Sequence, residues 1–292
     1  MIESARYIVI TPVRNEAEYL QSTIRSMRAQ KVQPISWVIV NDGSTDQTGQ
    51  IIDEAAKSLS WIRPVHRSDR GFRQAGEGVI GAFYDGFDLV KDTAWDFVVK
   101  LDGDLSFEPD YFERCLRAFA QQPQLGIGGG TICNLVNGVL TVESKIDPAF
   151  HVRGATKIYR HECWQAIGGL IRAAGWDTVD ELKANMLGWI TRTFSEVKVV
   201  HHRPAGQAYG MWQDWLKNGR ANYVAGYHPL FMLAKFARRL FEKPYVTGAC
   251  GLLIGFTGAA LRRVPKVGDE NLIKYFQRQQ FNRLLGRKSL WS

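Results

Sequence analysis

An α/β fold, in which a parallel sheet gives way to a mixed one and a helical C-terminal tail follows, is predicted by three observations on the sequence. Short β-branched runs alternate with helix-period segments through the first hundred residues, two of these runs end abruptly on acidic turns, and glycines mixed with β-branched residues take over from Gly126.

The elements follow in order. Residues 7–11 form a β-branched run, 16–30 an amphipathic helix with Leu20, Ile24 and Met27 on one face, and 37–40 a second strand after Pro34 closes the helix. The turn NDGSTD ends that strand and opens a helix over 50–59. A strand at 62–66, a helix at 78–90 and a buried strand at 96–101 come next, the last running straight into Asp102-Gly103-Asp104. Irregular strands are expected over 126–142 and a short strand at 197–200. The chain divides into 1–228, the α/β unit, and 229–292, a basic and partly apolar helical extension, with the boundary near Tyr227 to Pro229.

Composition narrows the function classes. Hydrophobic residues make up 45% and charged ones 23% of 292, which suits a chain with a substantial core and argues against a disordered or low-complexity protein. The four cysteines form no CxxC pair, so a zinc knuckle or a disulfide framework is not expected. Lys and Arg outnumber acids 37 to 29, which favours anionic partners, and the excess gathers in the tail. The start, MIESARYIVITPV, places an acid at Glu3 and runs into a strand, so a cytoplasmic protein is expected.

The chemistry centres on Asp102-Gly103-Asp104. Two carboxylates around a flexible glycine at a strand end can converge on a hard cation and its bound diphosphate, although the same triplet also occurs as a plain polar turn. Asp42 leaves the second strand beside Gly43 and can accept hydrogen bonds from a base or ribose, while Ser44, Thr45 or Asp46 can cap the helix that follows. Glu16 sits at the start of the first helix, where an acid also suits the helix dipole.

Taken together, TPVRNEAEYL, VIVNDGSTDQT and VVKLDGD, in this order, resemble the family 2 glycosyltransferases. The clear resemblance covers about residues 7–115 and a weaker one extends to His202. It implies a GT-A fold, with a Rossmann-like nucleotide-binding half and a mixed central sheet, and an inverting transfer from a nucleoside-diphosphate sugar (UDP-, GDP- or dTDP-linked). It further implies that Pro12 and Glu16 line the nucleoside pocket, that Asp42 contacts the base, and that Asp102 and Asp104 hold ribose, diphosphate and a divalent metal, Mg2+ or Mn2+. Arg73 and Lys100 are candidate phosphate contacts or else solvated surface charges. The family carries an acid pair before a helix after Gly-Gly. Here Gly168-Gly169 is followed by GWDTVDE, in which Trp176 replaces the usual Glu and joins the substrate-binding candidates. Asp177 then falls at the position of the catalytic base, and Asp180 with Glu181 is the alternative that the pattern leaves open. His201 or His202 is a candidate metal ligand, a buried structural histidine being the other reading, and Gly206 to Arg220 is a candidate flap or a packed aromatic helix.

Residues 245–261 are apolar with basic flanks, shorter than the roughly 20 residues that span a bilayer. The readings are a peripheral element on an anionic membrane surface, a buried hairpin or a subunit contact. The acceptor implied is a saccharide or lipid-linked one, and nucleic acid is not expected. A sugar-phosphate nucleotidyltransferase would need a glycine-rich basic phosphate loop near the N-terminus, which is missing. A non-catalytic nucleotide-sugar sensor would keep Asp42 and the DGD triplet and need no base.

Overall fold

A computed structural model describes residues 5–72, 76–144, 147–203 and 210–291. The chain runs β1 (Tyr7–Val13), α1 (Leu20–Arg28), β2 (Ser36–Asn41), α2 (Thr48–Ser58), β3 (Ile62–His66), α3 (Glu77–Phe87) and β4 (Phe97–Leu101). It continues with β5 (Leu105–Phe107), α4 (Tyr111–Gln121), β6 (Leu125–Val136), β7 (Val139–Val142), β8 (Thr156–Arg160), α5 (His161–Ile167), α6 (Trp176–Met186) and β9 (Ile190–His201). Four helices close the chain: α7 (Met211–Val224), α8 (Pro229–Arg239), α9 (Tyr245–Leu261) and α10 (Glu270–Leu284).

One sheet has the order β3-β2-β1-β4-β8-β6-β9-β5, with β7 hydrogen-bonded to β6. The first four strands are parallel. β8 then runs antiparallel to β4 and β6, which is where the parallel pattern gives way. Strand succession reverses between β1 and β4, and in open α/β sheets ligands bind at the carboxyl ends beside that reversal. Arg14, Asp42 and Asp102 all lie just past those ends.

Alternation along each strand builds a core on both faces. Tyr7, Val9, Trp37 and Val99 meet Leu20, Met27, Ile52 and Phe112 on one side, while Ile8, Ile10, Val38 and Val98 meet Ile80, Phe83 and Phe87 on the other. Both faces being covered accounts for the near-continuous apolar runs of β1, β2 and β4. The indole N–H of fully buried Trp37 donates to the Thr11 hydroxyl at 2.8 Å, so its one polar atom is satisfied.

The tail is packed against the α/β unit. Leu272 and Phe276 of α10 share a cluster with Val179 and Leu182 of α6. α9 lies against α7, where a Cβ on Gly255 would collide with the Leu216 carbonyl and one on Gly219 with the Leu252 carbonyl. Gly255→Val is therefore expected to force the two helices apart and lower stability by about 1–3 kcal/mol, read as a fall in Tm with helix content retained. An unchanged Tm would mean that this close crossing does not form.

Residues 211–220, expected as a flap or a packed helix, lie in α7, with Trp212 and Trp215 against Gly251 of α9. Residues 206–209 of that stretch lie outside the described residues.

Candidate active site

The three acidic loops follow the carboxyl ends of β1, β2 and β4, and side-chain hydrogen bonds tie the first two together. Asn15, held at φ 53°, accepts from the Thr45 amide at 2.9 Å while its own amide donates to the Ser44 hydroxyl at 2.9 Å. Asp46 accepts from the Thr48 and Ala17 amides, so it braces this junction. The Glu16 amide donates to Thr48 Oγ1, and the Glu16 carboxylate pairs with Arg203 from beyond β9. Pro12 lies half-buried on β1, opposite Val40.

Asp42 is buried and doubly clamped. Its Oδ1 accepts from Arg67 Nη1 at 2.6 Å and its two oxygens accept from Arg70 at 2.7 and 2.5 Å. Gly43 permits this: it takes φ 68°, and a Cβ there would strike the Asp69 backbone, so only glycine lets the Arg70 loop close on Asp42. Neither arginine is legible as a partner of Asp42 in the sequence, because the clamp depends on a loop 25 residues away. Arg73 lies outside the described residues.

At the end of β4, Lys100 is buried, not a surface charge. Its ammonium pairs with Asp102 and donates to the Gly154 carbonyl at 2.8 Å. Asp102 remains about one-third exposed, and burial raises its pKa against the pull of Lys100. Asp104 is enclosed: its Oδ2 lies 3.4 Å from His201 Nε2, and its Oδ1 is buried with no hydrogen-bond partner. The antiparallel register Leu105↔His201 between β5 and β9 brings that imidazole in. Burial opposes a charge on His201, but hydrogen bonds to Asp104 and to Glu143, 3.4 Å from Nδ1, raise its pKa to about 10. His202 follows the last residue of β9, and its Nε2 lies 2.9 Å from the Ser106 hydroxyl.

An orphaned buried carboxylate oxygen beside a second carboxylate and an imidazole is a donor set that fits Mg2+ or Mn2+. Among the described residues, no group of three or more His, Cys, Asp or Glu side chains is already placed to hold a metal ion.

The acids of α6 separate into two environments. Asp180 and Glu181 are buried: Asp180 accepts from Lys157 at 3.0 Å and from the Tyr159 hydroxyl at 2.6 Å. Glu181 accepts from Lys157 and the Val152 amide, both at 2.7 Å, and faces His151 Nδ1 at 2.9 Å. Burial raises Asp180 above the usual carboxylate range. Asp177, in the first turn of the helix, is only partly buried, and a Cβ on Gly154 would lie 3.3 Å from its Oδ2. Burial opposes its charge, yet Lys157, His151 and Arg153 together hold its pKa below the ordinary value. Gly154 therefore stands between Asp177 and the Lys100–Asp102 pair, which brings the start of α6 to the DGD triplet. Trp176 lies between the two strand lysines, its ring 5.5 Å from Lys100 Nζ and 5.6 Å from Lys157 Nζ. Arg220 is exposed on α7, one residue before Ala221, whose carbonyl abuts Gly175 at the head of α6.

The sequence reading missed Arg67, Arg70, Glu143, His151, Arg153, Lys157 and Arg203. Only Lys157 left a signal, as a charge inside the apolar run TKIY.

Residues 8–173, more than half of the chain, match the family model described as Glycosyl transferase family 2. The chain belongs to glycosyl transferase family 2. Among relatives of this family 2 member is an uncharacterized glycosyltransferase EpsJ of Bacillus subtilis, 32% identical over 121 residues, which are 41% of this chain and 32% of that protein. Another is an undecaprenyl-phosphate mannosyltransferase of Micrococcus luteus, 30% identical over 113 residues, 39% of this chain and 44% of the other. The match thus spans from about a third to under half of the length of these curated relatives. The mannosyltransferase PcManGT of Pyrobaculum calidifontis, solved with GDP-Man and Mn2+, superposes with a TM-score of 0.55 at 17% identity, covering 97% of this chain and 82% of that one. The shared architecture is the GT-A fold.

Proposed function

We propose that this family 2 member is an inverting glycosyltransferase that moves a sugar from a nucleoside-diphosphate sugar to an acceptor hydroxyl in glycan or glycolipid synthesis. The observation that carries the reading is that Asp42 and the DGD triplet follow the carboxyl ends of the neighbouring parallel strands β2 and β4 around β1, while partly exposed Asp177 lies against Gly154, whose carbonyl accepts from Lys100 beside Asp102. In this reading Pro12, Glu16 and Asp42 with its arginines receive the nucleoside, and Asp102 meets the ribose side of the donor. Lys100, buried against Asp102, orients that carboxylate. Asp104 and Asp102, joined by His201 once its ring has given up its proton, would hold a divalent cation, Mg2+ or Mn2+, which when bound supplies positive charge to the diphosphate. His202 is left out of that set because its ring nitrogen is engaged by Ser106.

Asp177 acts as the base. Its ionised carboxylate takes the proton of the acceptor hydroxyl while that oxygen forms a bond to the anomeric carbon, and the bond from that carbon to the diphosphate oxygen breaks on the opposite face. Asp180 and Glu181 serve the base indirectly, by holding Lys157 beneath the helix that carries it. The GDP-Man and Mn2+ bound by PcManGT support the donor class and the metal. The relative named as an undecaprenyl-phosphate mannosyltransferase supports a lipid-linked acceptor, a saccharide being the alternative.

A panel of UDP-, GDP- and dTDP-sugars, scored by thermal shift with and without Mn2+ and then by turnover, tests this. One donor class is expected to stabilise the protein by about 2.7 kcal/mol at a hundredfold excess over Kd, dependent on the metal. Asp104→Asn is expected to abolish the metal-dependent part. Failure of all three classes to stabilise the wild type, with or without metal, would overturn the reading.

A further inference from the structure

Helix α9 contains no charged residue from Tyr245 to Leu261. One side of it is packed: Leu252 and Phe256 join Met232 of α8, and its glycines press on α7. The outward side carries Val246, Ile254 and Leu261, which are 60, 52 and 86% exposed. Helix α8 has an apolar stripe of its own, Leu230 and Leu233, and Phe241 in the connection between the two helices is 82% exposed. A helix that is apolar all round belongs inside a protein or in lipid, and α9 is covered by protein on one side only.

The charges around this surface are one-sided. Residues 229–266 hold seven Lys and Arg against one acid, Glu242, and that acid is paired with Arg238 and Arg239. Exposed Arg238 and Lys243 precede α9, and exposed Arg262, Arg263 and Lys266 follow it. Cations at both ends of the apolar helix give no inside-positive bias for a crossing. Among the described residues, no helix is long and apolar enough to cross a membrane. A contact between two copies through this face would bring like charges together, which costs affinity.

We propose that α8 and α9 form an interfacial docking element that lies flat on an anionic bilayer. Val246, Ile254, Leu261 and Phe241 enter the acyl boundary, and the flanking lysines and arginines meet lipid phosphates. The element needs neither donor nor turnover, so it stands apart from the reaction proposed above and is measured without it.

The test is co-sedimentation of the full chain with phosphatidylcholine vesicles and with vesicles carrying 30% phosphatidylglycerol, a composition on the order of the anionic surfaces such segments meet. Binding is expected to be at least about tenfold tighter to the anionic vesicles and to weaken with salt. The pair Ile254→Asp and Leu261→Asp is expected to abolish it, and R262E with R263E to remove most of its salt dependence. These side chains are exposed, and far-UV circular dichroism with Tm verifies that each variant is folded. Should a variant misfold, Val246→Asp and the wild-type salt titration carry the same comparison. No binding to either vesicle, or anionic binding that survives Ile254→Asp with Leu261→Asp, overturns the proposal. So does a wild-type dimer in light scattering that those substitutions dissociate, because the apolar face is then a subunit contact.

Discussion

Asp177→Asn is expected to lower turnover by about 10²- to 10⁴-fold while leaving stabilisation by the nucleotide sugar unchanged. The asparagine keeps the size of the side chain and loses only its capacity to accept a proton. Fold should survive, because the groups that anchor α6 are Lys157 on the Asp177 backbone carbonyl at 2.5 Å and the buried Asp180 and Glu181 carboxylates, all of which the variant retains. The wild-type carboxylate is ionised across the neutral range, since its pKa is held below the ordinary value against the effect of burial. A carboxylate so stabilised is a modest base, and its contribution comes from position beside Gly154 and the Lys100–Asp102 pair. Asp180→Asn is the control: it alters an enclosed network, so its first effect is a lower Tm. Single-turnover measurement at saturating donor separates the two variants, and near-normal turnover in Asp177→Asn would remove this residue as the base.

Lys157→Met is expected to destabilise the protein by about 3–5 kcal/mol. The lysine is fully buried on β8 and is shared by Asp180 and Glu181, each within 3.0 Å. Removing it leaves two buried carboxylates with Tyr159, His151 and the Val152 and Glu181 amides as their remaining partners. Its neighbour across the β4–β8 pair is Lys100, so two like charges sit directly opposite, an arrangement that is unfavourable unless each is answered separately. They are answered separately: Lys100 by Asp102, Lys157 by the α6 acids, with the Trp176 ring close to both ammonium groups. Chemical denaturation gives the stability change directly. A shift below about 0.5 kcal/mol, the size of a surface substitution, would mean that the α6 acids do not depend on this lysine.

Much of the parallel half of the sheet was legible because its signals are local. β1, β2, β3 and β4 announce themselves as β-branched runs, and the turns NDGSTD and DGD follow their strands within one or two residues. Boundaries moved modestly: the first helix starts at Leu20 instead of 16, since 14–19 are occupied by the loop that binds Ser44 and Thr45. The mixed half was read poorly. β9 runs for 12 residues, although only 197–200 have a clean strand pattern, because its register with β6 shifts at Gly130 and Thr131 and breaks the alternation. β8 was missed because a charged residue, Lys157, occupies a buried position in it.

By itself the sequence determined the α/β class, the strand ends that carry Asp42 and Asp102, and an apolar segment with basic flanks. These depend on periodicity and turn chemistry, which act over a few neighbouring residues. Only the tertiary structure decided which acids of α6 are enclosed and which is partly open, that His201 and not His202 faces Asp104, and that Arg67 and Arg70 clamp Asp42. It also decided that α9 is covered on one side alone. Each of these is a contact between residues far apart in the chain, and its energy depends on burial and on a strand register that no short window of sequence encodes.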